Sequence, residues 1–302
     1  MAQNAKVTVV NAPLKDAPPT GPNQVVVEHD QGLATHTIYR PADLGSSTHG
    51  LVVWGEGGCT KNGLTFPEYL AEIASYGYVV LADGPPVMRA DGAKGKGGSP
   101  KGAPKGKAAA PKGKAGAGKG LPTDNGNMTD GSALIAAVDW MEKEVADPSS
   151  RFYQKVDTSN VAAMGMSCGG LMSYGASADP RIGTVGIWNS GLFNKDEKIL
   201  NGIHSPVILI TGGESDIAYE NGKSDFEVMP KRVPIFYGVY PSVGHGGTYS
   251  QDNGGPFGKV AVAWLRWQLS DDTSRAGKGY FVGDDCVLCT DSEWQVDSRS
   301  LR

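Results

Sequence analysis

The sequence contains no run approaching the ~18 consecutive apolar residues of a membrane-spanning helix, although 39% of its 302 residues are hydrophobic. A helical membrane protein is thereby excluded, and a soluble chain long enough to bury a full core in one domain is expected. Residues Met1 to Thr20 lack a basic stretch followed by an apolar one, so no uncleaved secretory signal is expected. A mature secreted or periplasmic protein given a new initiator methionine fits this start, and so does a cytoplasmic one.

Cysteine is scarce: only Cys59, Cys168, Cys286 and Cys289 occur. An even set permits two disulfides in three connectivities. No histidine lies near Cys286 or Cys289 in sequence, which argues against a structural zinc site. A redox pair of the thioredoxin type would sit at a strand-to-helix junction, not in a C-terminal tail. Cys286 and Cys289 therefore read as a small disulfide clamping the tail, Gly277 to Arg302, with too short a loop to add much stability.

A third absence is local. Asp91 to Gly120 has no aromatic and no branched apolar residue and is built almost wholly from Lys, Gly, Ala and Pro. Such a composition cannot offset chain entropy, so a disordered or polyproline-like insertion is expected. Its eight lysines against one aspartate give a local charge of +7, which leaves the rest of the chain at −11 against a total of −4. The plain reading is a solvated insertion; the sharper one is a tether for an anionic polymer.

The remaining sequence alternates strand and helix patterns. Val7 to Tyr39 holds short β-rich runs broken by Pro and Gly clusters, which read as antiparallel edge strands. Gly50 to Trp54 is a buried strand that runs into Gly55-Glu56-Gly57-Gly58-Cys59. Phe66 to Tyr76 has apolar residues at helical spacing, and Tyr78 to Ala82 returns as a strand, a unit that implies parallel pairing. Helix Asp130 to Ala146, strand Val161 to Met166, helix Leu171 to Ala178 and strand Ile182 to Trp188 follow. Strands Pro206 to Thr211 and Val233 to Tyr240 and helix Val260 to Leu269 complete the pattern, and the tail reads as irregular. One α/β domain over residues 1–302 is expected, with a mostly parallel sheet flanked by helices.

Val161 to Leu171 ends in Gly165-Met166-Ser167-Cys168-Gly169, a G-x-S-x-G pattern. Among forty-three glycines such a pattern can arise as a plain Gly-rich turn. Between a strand and a helix it reads instead as a sharp turn that lifts Ser167 above the sheet, with the Cys168 N–H at a helix start where an oxyanion can accept from it.

Asp216 and His245 follow the next strand ends but one and but two, giving the order Ser, Asp, His. A serine hydroxyl needs an imidazole to take its proton, and the imidazole needs a carboxylate to fix its tautomer and stabilise its cation. Only His245 among the five histidines is placed for this: His49 and His204 precede strands, and His29 and His36 belong to the N-terminal meander. Glu214 and Glu220, close to Asp216, read as solvated loop charges. A second oxyanion donor is expected at the exit of the Leu51 to Trp54 strand, from the N–H of Glu56 ahead of Gly57, with the Glu56 carboxylate pointing away or selecting against anionic substrates. Cys59 and Cys168 then come close, and a disulfide between them is expected, the alternative being two buried thiols.

With these residues the chain resembles the α/β-hydrolase superfamily, in its compact cutinase-like, polyester-hydrolase and dienelactone-hydrolase branch. The similarity spans about Gly50 to Leu269 and rests on Leu51 to Glu56, Leu70 to Val80, the Ser167 turn, Gly213 to Ala218, and Gly244-His245. It implies the α/β-hydrolase fold and carboxylic-ester hydrolysis through an acyl-enzyme without metal or organic cofactor. It also implies that Trp188 lines the acyl pocket. Two features depart from polyester hydrolases: Glu56 stands where they carry an aromatic residue, and the Lys-rich insertion is foreign to them.

About eighteen residues separate Trp188 from Val207, too few for a helical cap domain at that place. An open cleft is expected, with Trp188, Tyr219 and Tyr249 as candidate aromatic walls. That points to a serine esterase for bulky or polymer-attached esters, such as polyesters of the cutin or PET type, or feruloyl and other acyl groups on carbohydrate. The reading from another class is a non-catalytic polyanion-binding protein on a hydrolase scaffold.

Overall fold

Leu51, Val52, Val53 and Trp54 are all fully buried, which is why this strand reads as an unbroken apolar run: both of its faces are covered. Alternate residues divide between two cores. Leu51 and Val53 join Val161, Ala163, Ile187 and Leu209 on one face, while Val52 and Trp54 join Ala162, Met164, Trp188 and Ile210 on the other. The same period-two division runs through every central strand.

A computed structural model describes residues 6–15, 17–88 and 128–301; the Lys-rich segment 91–120 lies outside the described residues. The strands are β1 (Val7–Val9), β2 (Val25–Asp30), β3 (His36–Pro41), β4 (His49–Gly55), β5 (Val79–Asp83), β6 (Val156–Met166), β7 (Ile182–Trp188), β8 (Val207–Thr211), β9 (Ile235–Val239) and β10 (Gln295–Arg299). They form one ten-stranded sheet in the order β1-β2-β3-β5-β4-β6-β7-β8-β9-β10. From β5 to β9 every pairing is parallel. β1, β2 and β3 are antiparallel on one edge, as the Pro- and Gly-broken runs imply.

The helices are α1 (Pro67–Ser75), α2 (Ser132–Ala146), α3 (Cys168–Ala176), α4 (Glu197–Gly202), α5 (Tyr219–Val228) and α6 (Gly255–Ser270). Helices α1 and α6 cover the Trp54 face; α2, α3 and α4 cover the Leu51 face. The protein is thus an α/β fold with a mostly parallel sheet between two helical layers. Only the six-residue α4 lies between β7 and β8, in keeping with the short connection. Among the described residues no helix is long and apolar enough to cross a membrane.

The tail departs from the irregular reading. Gln295–Arg299 pairs antiparallel with β9, from Gln295 opposite Val239 to Arg299 opposite Ile235. Its mostly exposed, polar sequence carries no apolar alternation, so the strand is imposed by the open edge of β9 and not by its own pattern. The tail also contributes Phe281, Cys286, Leu288 and Trp294 to the Trp54-side core, and Cys286 and Cys289 are disulfide-bonded.

Candidate active site

Strand β6 ends at Met166 and helix α3 starts at Cys168, so Ser167 alone makes the turn. Its backbone sits at φ 54° and ψ −114°, a conformation costing on the order of 1–3 kcal/mol for a non-glycine residue. Close packing holds it there. A Cβ on Gly169 would fall 1.8 Å from the Gly55 carbonyl oxygen, and one on Gly165 would fall 2.3 Å from the Gly169 backbone. Both flanking glycines are therefore required for the start of α3 to lie against the end of β4. The Ser167 N–H donates to the Trp188 carbonyl at 2.9 Å, and the Ser190 hydroxyl donates to the Ser167 carbonyl at 2.7 Å. The Ser167 hydroxyl makes no cap bond to α3 and is directed to the imidazole instead.

His245 lies in the short 3-10 turn Gly244–Gly246 that follows β9. Its Nε2 is 2.9 Å from Ser167 Oγ, and its Nδ1 is 2.6 Å from Asp216 Oδ1. Asp216, after β8, is almost wholly buried at 3% exposure, and every lone-pair direction is used. Oδ1 also accepts from the Ala218 N–H at 2.9 Å. Oδ2 accepts from the Gly212 N–H at 3.0 Å and the Asn189 side-chain amide at 2.7 Å. Burial alone would raise its pKa, but the His245, Gly212, Ala218 and Asn189 hydrogen bonds outweigh burial and hold it below the ordinary carboxylate value. Asp216 is thus an ionised acceptor. Glu214 and Glu220 are exposed, as loop charges are expected to be.

The sequence reading missed Asn189. It follows the last residue of β7, is fully buried and has a positive φ of 43°, pinned by its own N–H donating to Ile210 O at 2.7 Å. Its amide donates to Asp216 and, at 3.2 Å, to the Gly244 carbonyl, so it ties the acid turn to the histidine turn. Tyr249 donates its hydroxyl to the Asn189 side-chain oxygen, and burial holds that phenol well above its usual pKa. The one available signal was position: a polar residue directly after a buried strand, between the strand ends bearing Ser167 and Asp216.

Ser167, His245, Cys59 and Cys168 line a cleft of about 280 Å³ with Leu171, Phe193, Ile217 and Asn221 among its other walls. The three aromatic residues expected there are not. Trp188 and Tyr249 are fully buried in one aromatic cluster, where Tyr69 meets Trp188 at 5.7 Å and Tyr249 at 5.2 Å between ring centres. Strand alternation turns Trp188 to the α1/α6 face, away from the cleft. Tyr219 faces a separate depression with Gly213, Glu214 and Pro241. The apolar rim comes instead from Phe193, 54% exposed, and Ile217, 81% exposed.

The disulfide Cys59–Cys168 forms, with Cα atoms 5.2 Å apart, and no cysteine is free. The alternative of two thiols is thereby ruled out. Of the turn after β4, Gly58 and Cys59 reach the cleft; Glu56 does not. Its side chain is buried at 1% exposure, with neither carboxyl oxygen hydrogen-bonded. Burial first, and the charge of Asp83 to a lesser degree, push its pKa well above the ordinary value against weaker opposing contacts with Trp54 and Thr65. Burial therefore favours the uncharged form of the Glu56 carboxyl, which is turned into the protein and neither meets nor repels a ligand in the cleft.

Among the described residues no group of three or more His, Cys, Asp or Glu is placed to hold a metal ion. The arrangement can do nucleophilic chemistry: a hydroxyl within hydrogen-bond reach of an imidazole whose far nitrogen faces a buried carboxylate, next to a helix start. No protein-family model matches the chain, and no curated protein matches it at a significant level.

Proposed function

We propose that the protein is a serine carboxylic-ester hydrolase of the α/β-hydrolase type. The observation that carries the reading is the continuous chain Ser167 Oγ to His245 Nε2 to His245 Nδ1 to Asp216, with Ser167 held on a strained strand-to-helix turn. His245 takes the Ser167 proton as Oγ attacks the ester carbonyl. The tetrahedral oxyanion accepts from the Cys168 N–H at the start of α3, and the second donor comes from the turn that begins at Glu56. His245 then gives the proton to the leaving alcohol, and water activated by the same imidazole hydrolyses the acyl-enzyme. Asp216 stabilises the imidazolium in both halves of the reaction.

The exposed Phe193 and Ile217 at the cleft rim favour bulky or polymer-attached esters, polyester and acylated carbohydrate included, over a lipid chain enclosed on all sides. Two disulfides favour an oxidising location, secreted or periplasmic. The test is hydrolysis of p-nitrophenyl acetate by the wild type and by Ser167→Ala. Turnover that falls on the order of 10⁴-fold or more in the variant supports the reading; an inert wild type overturns it.

A further inference from the structure

Outside the Ser-His-Asp chain, a buried polar cluster beside the cleft centres on Asp225 of α5. Asp225 is fully buried and accepts from three donors: Tyr174 OH of α3 at 2.8 Å and the Leu192 N–H at 2.7 Å on Oδ2, and Lys195 Nζ at 2.7 Å on Oδ1. Lys195 in turn donates to the carbonyls of Leu192 and Asn221, both at 3.0 Å. Leu192, itself fully buried, is thus gripped at both its N–H and its C=O. The loop after β7 is also pressed onto α5 at backbone level: a Cβ on Gly191 would lie 2.4 Å from the Gly222 nitrogen.

These contacts bear on the cleft because the clasped segments are its wall. Ser190, Gly191 and Phe193 come from the loop, Ile217 and Ala218 from the turn leading into α5, and Asn221 from its first turn. Phe193 directly follows the gripped Leu192 and projects to the rim. Neither Lys195 nor Asp225 hydrogen-bonds Ser167, His245 or Asp216, so the proton-transfer chain does not account for a buried carboxylate paired with a lysine here. A half-buried ion pair is weak evidence for stability in itself, whereas a fixed wall next to a nucleophile has a direct kinetic consequence.

We propose that the Lys195–Asp225 clasp fixes Phe193 as the specificity-determining contact for one bulky, aromatic or branched apolar group of the ester. Lys195 and Asp225 are positioning residues; Phe193 is the surface that meets the group. This rests on the esterase reading of the same cleft.

The test compares wild type, Lys195→Met, Lys195→Arg and Phe193→Ala on two ester series, p-nitrophenyl acetate against p-nitrophenyl benzoate and ethyl acetate against benzyl acetate. Exchange of the Leu192 amide is followed in parallel by hydrogen–deuterium mass spectrometry. In Lys195→Met, KM for the bulky member of one series rises on the order of tenfold while kcat and both values for the small ester stay within about twofold. Lys195→Arg restores the bulky-ester KM. Phe193→Ala, an exposed change that leaves the clasp intact, reproduces the KM effect without altering Leu192 exchange, and so keeps the test open if Lys195→Met does not fold. Faster Leu192 exchange in Lys195→Met with unchanged KM for every bulky ester overturns the proposal, and so does unchanged KM in Phe193→Ala. A wild type inert on all esters defeats the esterase reading instead. In that case unaltered Leu192 exchange in Lys195→Met overturns the clasp independently.

Discussion

The side-chain amide of Asn189 donates to Asp216 Oδ2 at 2.7 Å and to the Gly244 carbonyl at 3.2 Å, so the residue that directly follows β7 braces both the acid and the turn that carries His245. Asp216 Oδ1 is left to face the imidazole. Removing the amide in Asn189→Ala frees the carboxylate to rotate and loosens the histidine turn. The expected outcome is a kcat loss on the order of 10- to 100-fold with KM little changed, as for a group acting on transition-state geometry, read on p-nitrophenyl acetate. Equal losses in kcat and in thermal stability at neutral pH without any change in acid sensitivity would contradict this role.

The same variant carries a pH signature. Asp216 is held below its ordinary value of 3.8 in the folded protein, so it contributes stability that is present above that value and is lost as pH falls through the lower folded value. Asn189→Ala removes one of the contacts that lower it. The acid-unfolding midpoint of the variant therefore moves to higher pH, measured by circular dichroism across pH 2 to 5.

Glu56 has the opposite sign. Its folded pKa lies well above the ordinary 4.5, so the folded state keeps a proton that the unfolded state releases, and stability falls as pH rises above 4.5 towards the folded value. Glu56→Gln keeps the neutral shape and removes the penalty. Its melting temperature should match wild type near pH 4 and exceed it increasingly towards pH 8, with ester turnover retained. A variant less stable than wild type at pH 8 would show that the charged form is the one the fold uses.

The Cys59–Cys168 disulfide spans a sequence separation of 109 residues and joins the turn after β4 to the first residue of α3. By loop entropy, a bridge over about 110 residues contributes roughly 4 to 5 kcal/mol. Cys59→Ser/Cys168→Ser should lose stability of that order in urea titration, and also lose turnover because the two sides of the oxyanion site are no longer joined. Loss of less than about 1 kcal/mol would mean that packing of Gly55 on Gly169 alone fixes the turn.

The eight lysines of residues 91–120 are expected to recruit anionic polymer. Replacing the segment with a short Gly/Ser linker should weaken salt-sensitive binding to such a polymer, read by retention on an anionic resin, and leave turnover of small neutral esters intact. Unchanged retention would reduce the segment to a spacer.

The strand ends that bring Ser167, Asp216 and His245 together are legible because parallel strands buried on both faces announce themselves as apolar runs, each followed by a glycine-rich turn. Cys59 and Cys168 followed from that placement, since neighbouring strand ends bring their turns together. The walls were not legible. Whether Trp188 faces the cleft or the core is decided by strand parity, and Tyr249 is drawn inward by the Trp54, Tyr69 and Phe257 rings. Phe193 and Ile217 reach the rim through loop conformations that no periodicity encodes. Strand β10 was hidden for a related reason: its pairing comes from the edge it meets.

In the proposed reaction Ser167 is a nucleophile activated by His245. The most direct measurement is peptide mapping after treatment with a p-nitrophenyl phosphonate ester, which reacts once with an activated serine and stays attached. One adduct per chain is expected, located on Ser167, formed in the wild type and strongly slowed in His245→Ala. No adduct, or an adduct on a different residue with Ser167 unmodified, would contradict it.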